Sequence, residues 1–441
     1  MSFIPPAKEL YKLRALKAEK GGTDFVFAWE RDNGRCFRFS IPVPTGMEQD
    51  KNVIVLAERA VKFVLWAAGG WKLHMAGPDA ICAYIEAQYS AGGARDFDRD
   101  MMFKSYGKEM EIIRTRAIEI PETKDNSEGA GVSWKGCRIG FDLGASDFKI
   151  SAVEDGEVKF SDEFPWDPRN ATDPEYHFSK LNEGLKLAAS HLPRVDAIGG
   201  STAGIVVDNQ MRVASLFRAI VPEKYAEAQQ LFKRVQKEWN VPVHVENDGD
   251  VTALAAYLTS GSNGVLGVAM GSSEAVGFID KNGAVTGRLN ELAFATADLD
   301  ENAPADEWSG DTGVGAMYFS QQAVNHLAVK AGVEFSADMP LPERLLKVQA
   351  MMKENSPIAE ELYKTIGMYL GHNVAWYHEF YDFDSLLILG RVTTGQGGEI
   401  ILETARKIVA EEYPELANVQ ITMPDEKAKR LGQSVAAAAL V

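Results

Sequence analysis

Cysteine is scarce in this chain: Cys36, Cys82 and Cys137 are the only three in 441 residues. They are scattered and odd in number, with no CxxC pair or Cys/His cluster, which argues against a disulfide framework or a zinc site and points to a reducing compartment. Long apolar runs are missing too. None approaches the ~18 to 20 residues of a membrane span, and the first residues, MSFIPPAKELYKLRALKAEK, hold no apolar stretch of signal-peptide length. A cytoplasmic location is expected. Basic charge is also short: 46 Lys and Arg face 63 Asp and Glu, a net charge of -17. Such a surface repels nucleic acid and anionic lipid, so binding to neither DNA nor membrane is expected. The seven histidines show no metal-ligand spacing.

Apolar residues, by contrast, make up 46% of the chain, and this length divides into two or three domains. Charge divides it as well. Residues 1–136 hold 20 Lys and Arg against 19 Asp and Glu, leaving 26 against 44 for the rest, so the acidity belongs to the later part. From Pro121 to Lys135 runs PETKDNSEGAGVSWK, polar and Gly-containing as linkers are. Before it, DFVFAWE and RCFRFSIPV read as strands of a hairpin turning at Asn33-Gly34. Apolar spacing predicts helices over 52–68 and 79–88. Gly69 to His74 and the aromatic, charged stretch Asp96 to Tyr106 are read as a packed covering layer rather than a lid or an oligomer interface, because large aromatics are mostly buried. Together these make an α+β module.

After the linker, CRIGFDLG, KISAVED and EVKFSDEF predict a three-strand meander. A helix at FSKLNEGLKLAASHL, a strand at DAIGGST, a helix at KYAEAQQLFKRVQKEW and a strand at VPVHVEND follow. The theme returns with strands GVLGVAMG, AVGFID and AVTGRL, helices over 317–331 and 359–380, and the strand SLLILG. A meander followed by alternating helices and strands, twice over, predicts a duplicated α/β fold with mixed sheets.

Four segments carry candidate chemistry. FDLGASDFK puts Asp142 at the end of a buried strand, ahead of a turn with Gly144 and Ser146 whose amides can face a phosphate. A carboxylate beside an anion is sensible when Mg2+ lies between them. VHVENDGDVTALAAY ends a strand at Asn247-Asp248 and opens a helix near Asp250, so the helix dipole keeps Asp248 ionised, able to take a proton from a hydroxyl. LGVAMGSSEAVGFID repeats the first pattern, with Gly271, Ser272 and Ser273 in its turn. SLLILGRVTTGQGGEIIL is strand, Gly-rich loop and helix, suited to a phosphate-bearing ligand near Gly390 and Arg391. Taken singly, each also describes a plain hairpin, a capped helix or a packing loop.

In this order the four resemble the superfamily of actin, sugar kinases and heat-shock chaperone ATPases. Within it the likeness is to the repressor, open reading frame and kinase (ROK) family of sugar kinases, over roughly residues 137–441. Asp142 to Lys149 resembles the family's D-[IL]-G-G-T-K turn with two extra residues before the Lys. Gly200 to Gly204, which includes Thr202, resembles its sugar-side G-x-x-x-G stretch, and Asn247-Asp248 with Asp250 resembles its N-D-x-N junction. The resemblance implies duplicated actin-like (ribonuclease H-like) lobes with ATP, Mg2+ and a sugar in the cleft between them. It implies Asp248 as general base and Asn247, Glu291, Gly204 and Thr202 as sugar ligands. Asp142 would hold Mg2+ through water, while Gly144, Ser146, Lys149, Gly271, Ser272, Ser273, Gly390 and Arg391 would meet the nucleotide. A homodimer with a small-molecule sugar as its partner is expected.

The departures from the family pattern matter as much. Its G-T-G-x-G-x-G reads here Gly271-Ser272-Ser273-Glu274-Ala275-Val276-Gly277, placing side chains where backbone must approach phosphate. Glu274 would bring negative charge to a polyphosphate unless it points away or meets the metal. The family's G-E-x-G-H stretch keeps Glu291, but its His is Phe294, and the C-x-C-G-x-x-x-C run is absent, so no zinc is expected. Tyr318 and Ser320 match a further run whose usual Glu is Ala316, and Gly390-Arg391 stands for Gly-Gly. The sequence thus divides into a module at 1–120, a linker at 121–136, a first lobe at 137–260 and a second at 261–441. Its function is expected to be ATP-dependent phosphorylation of a sugar hydroxyl. The alternative is a ROK-like sugar or nucleotide sensor, not DNA-binding, that does not turn over.

Overall fold

The computed structural model of the chain describes residues 3–124, 131–144, 147–260, 262, 264–424 and 432–440. Helix α1 (Pro6–Lys20) carries proline in its first turn, where the missing N–H costs nothing, and leads to strands β1 (Gly22–Glu30) and β2 (Cys36–Pro44). The expected hairpin forms, closed by a 3-10 turn over Asp32–Gly34 with Gly34 at φ +65°. Asp50 caps α2 (Lys51–Ala68) by accepting from the amides of Asn52 and Val53. Strand β3 (Lys72–Ala76), helices α3 (Asp79–Gln88) and α4 (Asp96–Tyr106) and strand β4 (Glu111–Arg114) complete a sheet of order β2-β1-β3-β4. Helix α4 buries Met101, Met102 and Tyr106, the packing role expected of that stretch. Of the linker, Lys124 pairs with Cys36 and Val132 with Leu440, and residues 125–130 lie outside the described part.

The first lobe is the predicted meander, β5 (Cys137–Leu143), β6 (Asp147–Glu154) and β7 (Glu157–Pro165), followed by helix α5 (Pro174–Ala189). Strand β8 (Ala197–Thr202) runs parallel to β5. A small hairpin, β9 (Ile205–Val207) and β10 (Gln210–Val213), then precedes helices α6 (Pro222–Ala228) and α7 (Leu231–Trp239) and strand β11 (Val243–Asn247). Where one helix was expected over KYAEAQQLFKRVQKEW there are two. The break falls at Gln229 and Gln230, whose side chains turn to bond Arg212 and Gln210 of β10. The sheet order is β11-β8-β5-β6-β7.

Helix α8 (Asp248–Ser260) leads to the second lobe, which opens with β12 (Val265–Met270) and β13 (Glu274–Ile279). Helices α9 (Gln321–Lys330), α10 (Leu341–Lys353) and α11 (Pro357–His378) precede β14 (Ser385–Leu389), α12 (Gln396–Glu412) and β15 (Gln420–Thr422). In the order β13-β12-β14-β15, β14 pairs in parallel with β12 and β15 with β14, as β8 does with β5 and β11 with β8 in the first lobe. That is the expected duplicated α/β fold. The strand expected at AVTGRL is not formed beyond a single bridge from Val285 to Ile279. Directly after it the chain docks on helix α2 of the module: the amides of Asn290 and Glu291 donate to the carbonyls of Ala67 and Trp66, each at 3.0 Å.

One continuous core joins the module to the second lobe, and a separate core fills the first. Phe63 of α2 stacks on Phe380 at 4.3 Å, and Trp66 lies 4.7 Å from Phe294. The last helix, α13 (Gln433–Ala437), returns to the first lobe. It packs so closely on β5 and β8 that a Cβ at Gly140 or Gly199 would come within 1.8 Å and 1.7 Å of its Ser434 and Ala437 carbonyls. Among the described residues no helix is long and apolar enough to cross a membrane.

Candidate functional site

The seven residues of β5 are all buried, and the strand's pairing sets Asp142 opposite Lys149 on β6 and Ser201 on β8. Burial raises the Asp142 carboxyl above its ordinary range, and the nearby Lys149 charge partly offsets this. The turn that follows is stapled at both sides: the Gly144 amide donates to the Asp147 carbonyl, and the Trp166 indole N–H donates to the Gly144 carbonyl at 2.9 Å. Ser146, expected in this turn, lies outside the described residues.

Parallel pairing of β11 with β8 aligns Asn247 with Thr202 at the strand ends. The Asn247 side-chain oxygen accepts from the Gly249 amide and its NH2 donates to the Gly204 carbonyl, both at 2.8 Å. Gly204 can take this position because it has no Cβ, which would stand 2.3 Å from the Val213 carbonyl at a φ of +112°. Asp248 then opens α8. Burial, and next the charge of Asp142, push its carboxyl up to about 6. Glu291 sits close enough to Asp248 to feel its charge, and burial together with that charge lifts Glu291 to about 7. Its backbone is pinned by the Trp66 carbonyl, so the module fixes this side of the site.

The second turn is closed on itself. The Gly271 amide donates to the Ser273 carbonyl at 3.0 Å, the Gly271 carbonyl accepts from the Gln321 amide, and Ser272 and Ser273 are exposed. Glu274 does not face this turn. It points into the core of the second lobe, 4% exposed, where the Tyr377 hydroxyl donates to one oxygen at 3.3 Å and the other has no partner. Burial pushes this carboxyl up to about 8, so at neutral pH it is held as the acid. The unfolded chain ionises it near pH 4.5 and the folded chain near 8, so stability falls as pH rises between those values. Replacing Glu274 with Gln is therefore expected to flatten this decline without loss of fold, read as urea midpoints at pH 5 and pH 8.

Gly390, at φ +99°, starts the Gly-rich loop, and a Cβ there would stand 2.5 Å from the Met270 carbonyl. The loop runs through Arg391 and Thr394 to the N-terminus of α12, with the Gln349 amide donating to the Arg391 carbonyl. A cleft of about 900 Å3 lies between this loop and α8. Of the predicted residues it brings together Asp142, Lys149, Asp248, Gly390 and Arg391. Gly144, Thr202, Gly204, Asn247, Gly271, Ser272, Ser273 and Glu291 stand outside its lining. The sequence reading missed Thr252, Glu399 and Gln433, which also line it. Gln433 donates to the Asp248 carbonyl at 3.1 Å and to the Thr252 hydroxyl at 2.8 Å, tying α13 to the start of α8. The run Ser434 to Ala439, small at every position but Val435, was the available signal of such close packing. Phe294, in place of a family His, is packed among Trp66 and Phe97 of the module. Among the described residues no cluster of three or more His, Cys, Asp or Glu is placed to hold a metal.

No family model matches this sequence, and no curated relative matches it either. Solved structures do match. A ROK hexokinase from Thermus thermophilus is similar at a TM-score of 0.54 and 18% identity, over 68% of this chain and 97% of its own. This chain has the ROK fold. A ROK-family transcriptional regulator, a homolog of the E. coli MLC protein, is similar at a TM-score of 0.54 and 18% identity, over 70% of this chain and 79% of its own. A ROK-family protein from Streptococcus pneumoniae, in complex with sucrose, is similar at 0.52 and 15%, over 69% and 96%. The ROK fold therefore accounts for about two thirds of this chain and nearly the whole of two of these structures.

Proposed function

We propose that the chain is a carbohydrate kinase that transfers phosphate from Mg-ATP to a sugar hydroxyl, with Asp248 as general base. The observation that supports this most is that Asp142 and Asp248 line one cleft with the Gly390 to Gly395 loop on its other side. The residues fit a nucleotide: Lys149 and Arg391 offer cations, and the loop leads to the N-terminus of the long helix α12. Asp142, carrying one carboxylate and no side-chain cluster around it, suits a Mg2+ that keeps most of its waters. Mg-ATP, when bound, supplies the phosphoryl group. Asp248 takes the proton of the sugar hydroxyl, and a carboxyl near pH 6 is both ionised at neutral pH and basic enough for this. Lys149 and Arg391 position phosphate oxygens, and most of the catalysis is positioning and electrostatics. Glu291, Asn247, Thr202 and Gly204 stand around Asp248 as the sugar side.

A second reading, a sugar or nucleotide sensor without turnover, is favoured by the second turn, where the Gly271 amide is already spent on Ser273. Incubation with Mg-ATP and a panel of hexoses, amino sugars and polyols separates the two. Sugar-dependent release of ADP is expected. Saturable sugar binding by calorimetry with no ADP release would leave the sensor.

A further inference from the structure

Two departures from the family's motifs meet in one hydrogen bond. Asp250 stands where N-D-x-N has its last Asn, and Asn290 stands before Glu291, where G-E-x-G-H has Gly. The Asn290 side-chain NH2 donates to Asp250 Oδ1 at 2.8 Å. Both residues are buried, and neither lines the nucleotide cleft. Asn290 is also held from two other sides. Its backbone amide donates to the Ala67 carbonyl of α2 at 3.0 Å, and its side-chain oxygen accepts from the Tyr381 hydroxyl, just past α11, at 3.0 Å. Asp250 is fixed in turn, because the Phe278 amide of β13 donates to the same Oδ1 at 3.0 Å. The backbone of Asn290 lies at φ +53°, in the left-handed region that Asn tolerates and most side chains do not. Asn suits this point where Gly and Asp do not, since its amide carries both a donor for Asp250 and an acceptor for Tyr381.

The two ends of this bond adjoin the site. Asp250 is in the first turn of α8, two residues after Asp248, and Asn290 immediately precedes Glu291. We infer that Asn290 is a positioning residue of the sugar side, a clamp that holds the Glu291 carboxyl against Asp248 by joining the start of α8 to α2 and to the end of α11. This rests on the reading of Asp248 as base and Glu291 as sugar ligand. The module thereby has a share in the site, because carbonyls of α2 hold the amides of Asn290 and Glu291. Such a clamp acts through distance alone, and a misplacement of about 1 Å at a reacting centre is enough to lower a rate by up to about 10²-fold.

Asn290→Gly keeps the left-handed turn and removes both side-chain bonds, so it tests the clamp with the backbone path intact. Its first readout needs no ligand. The carboxyls facing Glu291 are those of Asp248 and Asp250, and burial together with the Asp248 charge holds Glu291 at about 7. In the full chain carrying carboxyl-13C glutamate, with the Glu291 signal assigned by Glu291→Gln, that titration should move down by about one pH unit or more in Asn290→Gly, as the side chain leaves Asp248 for water. Tyr381→Phe, which removes one hydroxyl, should move it the same way by less. Asp250→Asn, whose Oδ1 still accepts from both donors, should leave it in place, whereas Asp250→Ala should not. The second readout is kinetic. With whichever hexose, amino sugar or polyol releases ADP fastest, Asn290→Gly should raise the sugar KM roughly tenfold and leave the KM for Mg-ATP unchanged. An unmoved Glu291 titration in Asn290→Gly, or in Tyr381→Phe where Asn290→Gly does not fold, overturns the inference, as does an Asp250→Ala variant that matches Asp250→Asn. If no sugar releases ADP, the kinase reading fails and the titrations still decide the clamp. ADP release with unmoved titrations removes the clamp and leaves the kinase.

Discussion

Asp248→Asn should lower kcat by roughly 10²- to 10⁴-fold, the range set by removing a positioned general base, while sugar affinity stays within about tenfold. Asn keeps the shape of the side chain and its place at the start of α8 but cannot accept the hydroxyl proton. The substitution also removes a charge repulsion, because burial and Asp142 both disfavour the Asp248 carboxylate. The variant should therefore be at least as stable as the wild type, which separates a chemical loss from an unfolding one. The wild-type pH profile supplies a second readout. With the carboxyl at about 6, kcat/KM should fall tenfold per pH unit below that value, as the base is filled by a proton. That limb should vanish in Asp248→Asn. A variant of equal activity, or one that keeps the limb near pH 6, would remove Asp248 from the role of base.

What could be read from the residues was what neighbours in sequence decide. The meander from Cys137 to Pro165 was legible because strand periodicity and the Asp155-Gly156 turn act within a few residues. Asp248 at a strand-to-helix junction was legible for the same reason. Distant partners were not. AVTGRL has the composition of a strand, but the residues directly after it, Asn290 and Glu291, are docked by their amides on α2, more than 200 residues earlier. Glu274 looked like a hazard to polyphosphate because its place in the motif is next to the turn. Strand alternation sends it to the other face, where Tyr377 of α11 meets it. The return of α13 across the first lobe could be guessed only as close packing from its small residues, never as a tie between Gln433 and Asp248.

The same limit hid the feature that holds the module in place, and its removal should cost the most stability. Asp311, in the second lobe, pairs with three cations of the module: Lys62 at 2.8 Å, Arg59 at 2.9 Å and Arg95 at 2.5 Å. Around them Lys62 also meets Asp98, and Arg95 meets Glu58 at 2.6 Å. An exposed ion pair is worth about 0 to 1 kcal/mol, but these side chains are between 1% and 14% exposed. Removing one partner of a buried network leaves a charge in it uncompensated, at about 3 to 5 kcal/mol. Asp311→Ala is expected to lose that much in urea unfolding, with Asp311→Asn losing nearly as much because the lost charge, not the lost volume, is the cause. The three cations hold the Asp311 carboxyl well below its usual range, so its contribution is present above pH 4 and is lost only as pH falls further. At pH 7 the full loss should thus be seen. Because the seam continues from Lys62 through Trp66 to the backbone of Glu291, the surviving folded fraction should bind sugar more weakly and Mg-ATP as before. An unchanged urea midpoint in Asp311→Ala would mean that the aromatic core between α2 and α11 alone secures the module.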